Sequence, residues 1–259
     1  MKQMIIACWL TAFTSIAGAQ ESASRTGDYT ATSTVLELLG AEAAKPFSEK
    51  IPIDQPITWE IFVPSNYDPA KPAGVLVFIN SRDSGLIEPE WKAVMENTNL
   101  IYIGANESGN QIDVPKRVAY AVLAPRVIIN SYEVDLERIY VSGFSGGSRV
   151  ASMVATEYNR LIKGAIYNSG ANFWGESALP RYREMVNHRY VFLTGTEDFN
   201  LEDTREVYQA YQDAGIKNSK LMVIPGLAHK RPTAADLEAA IRYLDLRLSD
   251  VPVGSATAP

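Results

Sequence analysis

The stretch Arg138-Ile-Tyr-Val-Ser142, followed at once by Gly143-Phe144-Ser145-Gly146-Gly147, decides how this chain reads. The first five residues form the short, β-rich apolar run expected of a strand buried on both faces. Glycines two positions either side of Ser145, and a helically spaced stretch from Ser148 to Leu161, turn that strand sharply into a helix. A serine at such a turn raises its hydroxyl over the sheet edge, with a helix start behind it to favour developing negative charge. The competing reading is an ordinary Gly-rich turn whose serine caps a helix. A phosphate-cradling loop would need Gly-Lys-Ser/Thr, which does not follow here.

Similar runs lie to either side. Gly74-Val-Leu-Val-Phe-Ile-Asn80, Leu100 to Gly104, Gly164 to Asn168, Tyr190 to Thr194 and Lys220 to Ile224 predict further buried strands. Helical spacing covers Pro115 to Ser131, Leu201 to Ala214 and Ala234 to Leu248, with Pro232-Thr233 and then Asp236 as a start signal for the last. Strands alternating with helices predict an α/β fold, a mostly parallel central sheet with helices on both faces, whose chemistry falls at the carboxyl ends of the strands. Rough alternation from Lys50 to Val63 around Asp54-Gln55-Pro56 predicts an N-terminal antiparallel hairpin entering that sheet. The expected organisation is a signal peptide over 1–19, a flexible leader over 20–33, one domain over 34–250 and a flexible tail over 251–259.

The signal reading rests on Lys2, the apolar stretch from Met4 to Ile16, and the small residues Ala17-Gly18-Ala19 before Gln20. That apolar stretch is interrupted by Thr11, Thr14 and Ser15 and falls short of the roughly 20 residues that span a bilayer, so no stable membrane anchor is expected after cleavage. Export then implies a secreted or periplasmic protein. The single cysteine, Cys8, lies inside the expected signal peptide, which excludes disulfides and a cysteine metal site in the mature chain. The formal net charge of −6, with no basic patch, gives nucleic-acid binding no electrostatic basis.

A serine hydroxyl is a weak nucleophile until a base takes its proton. Only two histidines are present. His229 follows the strand ending at Ile224 through Pro225-Gly226-Leu227-Ala228, which puts it on a loop at a strand carboxyl end, whereas His188 precedes a strand and belongs to the opposite edge. An orienting carboxylate is expected between serine and histidine, and Asp198 in Gly195-Thr196-Glu197-Asp198 fits; Glu197 and Asp203 are the alternatives.

The order Ser145, Asp198, His229, each at a strand end, resembles the α/β-hydrolase superfamily. Phe62-Val63-Pro64 leading into Gly74 to Asn80 is similar to secreted esterases of the polyhydroxyalkanoate-depolymerase and feruloyl-esterase type. The likeness covers roughly Lys50 to Leu248. It implies hydrolysis of small or polymeric carboxylic esters through an acyl-enzyme, with no cofactor and no metal. Such relatives carry His-Gly after the strand equivalent to Gly74 to Asn80, where backbone N–H groups help hold the oxyanion; this chain has Asn80-Ser81-Arg82-Asp83-Ser84-Gly85. Gly146 is the expected first oxyanion donor and Ser81 or Arg82 the second. Phe173 and Trp174 are expected at the substrate site, and the short segment before Tyr190 leaves no room for a large lid. Two other readings share these residues: a catalytically weak ligand-binding protein on the same fold, and a serine peptidase.

Overall fold

The computed structural model describes residues 25–173 and 183–246. The elements are β1 (Gly27–Ser33), α1 (Val35–Ala44), β2 (Ile57–Val63), β3 (Ala73–Ile79), α2 (Lys92–Thr98), β4 (Leu100–Ala105) and α3 (Val114–Ile129), then β5 (Val134–Phe144), α4 (Gly146–Glu157), β6 (Gly164–Asn168), β7 (Arg189–Glu197), α5 (Leu201–Asp213), β8 (Ser219–Ala228) and α6 (Ala234–Leu244). The strands form one sheet in the order β1-β2-β4-β3-β5-β6-β7-β8. β2 is antiparallel to both its neighbours, and the remaining pairs are parallel.

Every residue of β3 is buried, as a strand covered on both faces requires. Its side chains alternate between two cores. Val75, Val77 and Ile79 pack with apolar residues of α1, α3 and α4, whereas Leu76 and Phe78 pack with Trp91, α2 and α6. Burying a side chain of this size contributes about 1.5–3 kcal/mol, so the alternation fixes strand register strongly. The last helix begins where its sequence signal lies: the Thr233 hydroxyl accepts from the Asp236 N–H while the Asp236 carboxylate accepts from the Thr233 N–H.

The N-terminal part differs from expectation. Gly27–Ser33, within the segment read as flexible leader, is the edge strand β1, paired residue by residue with β2. Its alternating half-buried and exposed residues keep Tyr29 and Ala31 against the core, and the Tyr29 hydroxyl donates to that of Tyr132 at 2.9 Å. The small polar residues facing outward gave it the composition of a linker. The antiparallel pair is therefore β1 with β2, and Asp54-Gln55-Pro56 lies in the connection between them rather than at a hairpin tip. α4 starts at Gly146, two residues earlier than its spacing predicts. The expected signal peptide, the tail over 251–259 and Trp174 lie outside the described residues, as does part of the connection expected to lack a lid. Among the described residues no helix is long and apolar enough to cross a membrane.

Candidate active site

β5 ends at Phe144 and α4 begins at Gly146, so one residue, Ser145, makes the whole turn. Its φ of 55° and ψ of −120° lie in a region that L residues rarely occupy. Strain of this kind costs about 1–3 kcal/mol and persists only where the surroundings hold it. Here the Ser145 N–H donates to Asn168 O at 2.9 Å, and Ser145 O accepts from the Arg149 N–H at 3.1 Å. The Asn168 amide in turn donates to Gly143 O at 2.7 Å. The turn also needs its glycines: a Cβ on Gly147 would stand 2.0 Å from Ile79 O, and one on Gly143 2.6 Å from the Gly147 carbonyl carbon.

Two further strands end beside this turn. His229 follows β8, and its Nε2 lies 2.9 Å from Ser145 Oγ. Asp198 follows β7, and its Oδ1 lies 2.9 Å from His229 Nδ1. The Asp198 side chain is fully enclosed and that of His229 is 20% exposed, so the chain of contacts runs from the interior to the surface. Asp198 Oδ1 also accepts the Asn200 N–H at 2.9 Å, and Oδ2 accepts the Thr194 hydroxyl at 3.2 Å. Burial pushes the Asp198 carboxyl up, but its polar neighbours Ser169, the Asn200 N–H and His229 outweigh this and hold it below its ordinary value. An ionised acceptor at Nδ1 keeps that nitrogen protonated and leaves Nε2 free to accept a proton from Ser145.

The other acidic and imidazole groups are elsewhere. Glu197 is exposed at the end of β7, and Asp203 on α5 pairs with Arg149 at 3.3 Å. His188 lies before β7, at the opposite strand end, its N–H bonded to Met185 O at 2.9 Å and its pKa pushed down by burial and by Lys163.

The loop after β3 is held at both ends. Asn80 Oδ1 accepts the Arg82 N–H at 3.2 Å and Arg231 at 2.7 Å, and the Asn80 amide donates to Ser84 O at 2.6 Å. The buried Arg117 donates to Asn80 O at 2.9 Å and Ser108 O at 2.7 Å, which clamps this loop to the one after β4. The Arg82 N–H is thus committed within the loop, while the Ser81 N–H has no hydrogen-bond partner among the described residues. Asp83 is tied down as well, its carboxylate accepting the Gly109 N–H at 2.8 Å.

Phe173 stands at the edge of a surface cleft of about 430 Å³ lined by Arg149, Asn172, Phe173, Asp203 and Val207. None of Ser145, Asp198 and His229 lines that cleft, although Arg149 lies one helical turn past Ser145. The ring of Phe173 also meets Tyr211 edge-on.

Sequence reasoning missed the residues that enclose the imidazole. Phe144 and Phe199 have ring centroids 5.1 Å and 4.1 Å from that of His229. Arg231, two positions beyond His229, ion-pairs with Glu88 and lies over the Phe144 ring. The signal available was position alone, since each lies within two positions of a residue already singled out.

No family model matches the sequence. Over 121 residues the chain is 26% identical to acyl-protein thioesterase 1 of Debaryomyces hansenii, a match to 45% of this chain and 51% of that protein, so it spans about half the length of that curated relative. Among solved structures it is similar to a ferulic acid esterase, with a TM-score of 0.59 and 17% identity over 85% of this chain and 98% of the other. It is also similar to a mutant of the feruloyl esterase module of Clostridium thermocellum in complex with sinapinate, with a TM-score of 0.59 and 14% identity over 87% of this chain and 92% of the other. The chain has the α/β-hydrolase fold.

Proposed function

We propose that this protein is an exported carboxylic-ester hydrolase that works through an acyl-enzyme on Ser145. The observation that carries this reading is the continuous contact from Ser145 Oγ to His229 Nε2 and from His229 Nδ1 to Asp198 Oδ1, both 2.9 Å, at a strained strand-to-helix turn. His229 takes the hydroxyl proton as Ser145 attacks the ester carbonyl, and Asp198 stabilises the resulting imidazolium. His229 then gives that proton to the departing alcohol. A water molecule repeats the sequence on the acyl-enzyme and releases the acid. The oxyanion is held by the Gly146 N–H at the start of α4 and the uncommitted Ser81 N–H.

The structural relatives support ester substrates, and the curated relative extends the range to acyl thioesters. Phe173 and the cleft beside it are assigned to the larger portion of the substrate. Export to the periplasm or beyond rests on Lys2, the apolar stretch from Met4 to Ile16 and the small residues before Gln20. A fluorophosphonate probe tests the reading. It should label wild-type protein at Ser145 and leave Ser145→Ala unlabelled, with hydrolysis of a short-chain chromogenic ester lost in the same variant; equal hydrolysis by both proteins overturns it.

A further inference from the structure

We infer that the side-chain amide of Asn110 supplies a third donor to the oxyanion site, in a chain that lacks the His-Gly pair of similar esterases; the inference rests on the ester-hydrolase reading of Ser145. Asn110 lies on the loop after β4, and its N–H donates to Ser81 O at 3.0 Å, so its backbone runs alongside the loop that offers the Ser81 N–H. Its side chain reaches the other donor. A Cβ built on Gly146 would stand 2.3 Å from Asn110 Oδ1 and 2.9 Å from Nδ2, which places the amide directly against the first residue of α4. Asn110 therefore contacts both residues whose N–H groups are assigned to the oxyanion.

The amide is available for that task. Among the described residues it has no hydrogen-bond partner, and Asn110 is exposed to solvent. With no partner fixing its plane, rotation about the Cβ–Cγ bond presents the N–H2 group to the site. Its backbone, by contrast, is held. Asp83 accepts the Gly109 N–H through its carboxylate and the Glu107 N–H through its carbonyl, and Arg117 binds Ser108 O and Asn80 O together. With the backbone anchored, the reorganisation needed when the charge appears is confined to rotation of the amide about one bond. Asp83, whose position beside the oxyanion loop would otherwise disfavour negative charge, serves to anchor the donor.

The test compares Asn110→Ala and Asn110→Asp with wild type and Ser145→Ala in the full chain, using a short-chain chromogenic ester and a trifluoromethyl ketone that forms a tetrahedral adduct. Asn110→Ala should lower kcat by about 10- to 100-fold with KM changed less than about twofold, and weaken the ketone in parallel with kcat/KM. Asn110→Asp, which keeps the shape and replaces the donor by a carboxylate, should lose more than Asn110→Ala. Wild-type kcat and ketone affinity in Asn110→Ala, with Ser145→Ala inert, overturn the Asn110 assignment alone. Ester turnover that survives Ser145→Ala overturns the underlying reading and this one together.

Discussion

The ring of Phe199 lies over the imidazole of His229 with centroids 4.1 Å apart and planes inclined at 32°, yet Phe199 is 77% exposed. An aromatic ring left in water contributes little to the core, so what it covers matters more than what it buries. Phe199 follows Asp198 directly, and the turn that aims the carboxylate at Nδ1 also lays the phenyl ring on the imidazole. With Phe144 nearby, the imidazole has one edge towards Asp198 and the other towards Ser145.

Replacing Phe199 by Ala should therefore leave the urea midpoint of unfolding nearly unchanged and lower kcat/KM for a chromogenic ester by up to about tenfold. An aromatic pair is worth about 0.5–1.5 kcal/mol, and about 1.4 kcal/mol corresponds to a factor of ten in rate. Steady-state kinetics beside an unfolding curve checks both halves.

Asp198→Asn preserves shape but no longer fixes the protonated nitrogen of His229. A loss in kcat on the order of 10³- to 10⁴-fold is expected, with the folded structure retained. Stopped assays at high enzyme concentration measure the residual rate.

The same carboxyl affects stability. Its pKa is lower in the folded protein than in the unfolded chain, so its ionised form stabilises the fold at pH values above the ordinary carboxylate range. That contribution is lost as pH falls through the folded value. Unfolding free energies of wild type and Asp198→Asn, measured from pH 7 down to about pH 3, should converge at the acid end, below the ordinary Asp value of about 3.9. A gap independent of pH would contradict the assignment.

Arg117 is 4% exposed and joins the loops after β3 and β4 through two backbone carbonyls. Arg117→Met leaves both acceptors buried without their charged donor and should cost about 2–5 kcal/mol in chemical denaturation, since a hydrogen bond to a charged group is worth about 1.5–3 kcal/mol. Loss of activity in the folded fraction should exceed that of a surface Arg→Met control, because the Ser81 loop loosens.

How much of this was legible in the sequence follows from the physics of each element. β3, β4 and β6 are buried along their whole length and β7 along most of it, and a continuous apolar run marks such a strand whatever its neighbours are. β8, at the sheet edge, is only half-buried although its run Leu221 to Ile224 is as apolar. β1 is an edge strand whose outer face is Asp28, Thr30 and Thr32, so its pairing with β2 is written only in a weak alternation. Thr34 and Glu37 do form the capping box that opens α1, but Gly40, with φ of 74°, breaks the helical pattern shortly after. α2 spans seven residues, too few to show a period. Ser145, Asp198 and His229 could be picked out because each follows an apolar strand run, and strand ends in a parallel sheet converge. Phe199, Arg231 and Asn110 could not: they act through contacts such as Arg231 with Asn80, 151 positions apart, which no local pattern encodes.

The most direct measurement is to quench a reaction with an aryl acetate within its first turnover and locate the acyl group by mass spectrometry of the digested protein. The account predicts one added acetyl, on the peptide containing Ser145, which decays as free acid is released and is absent from His229→Ala over the same interval. Hydrolysis that proceeds with no acylated Ser145 at any time, or an adduct that forms equally well without His229, would contradict it.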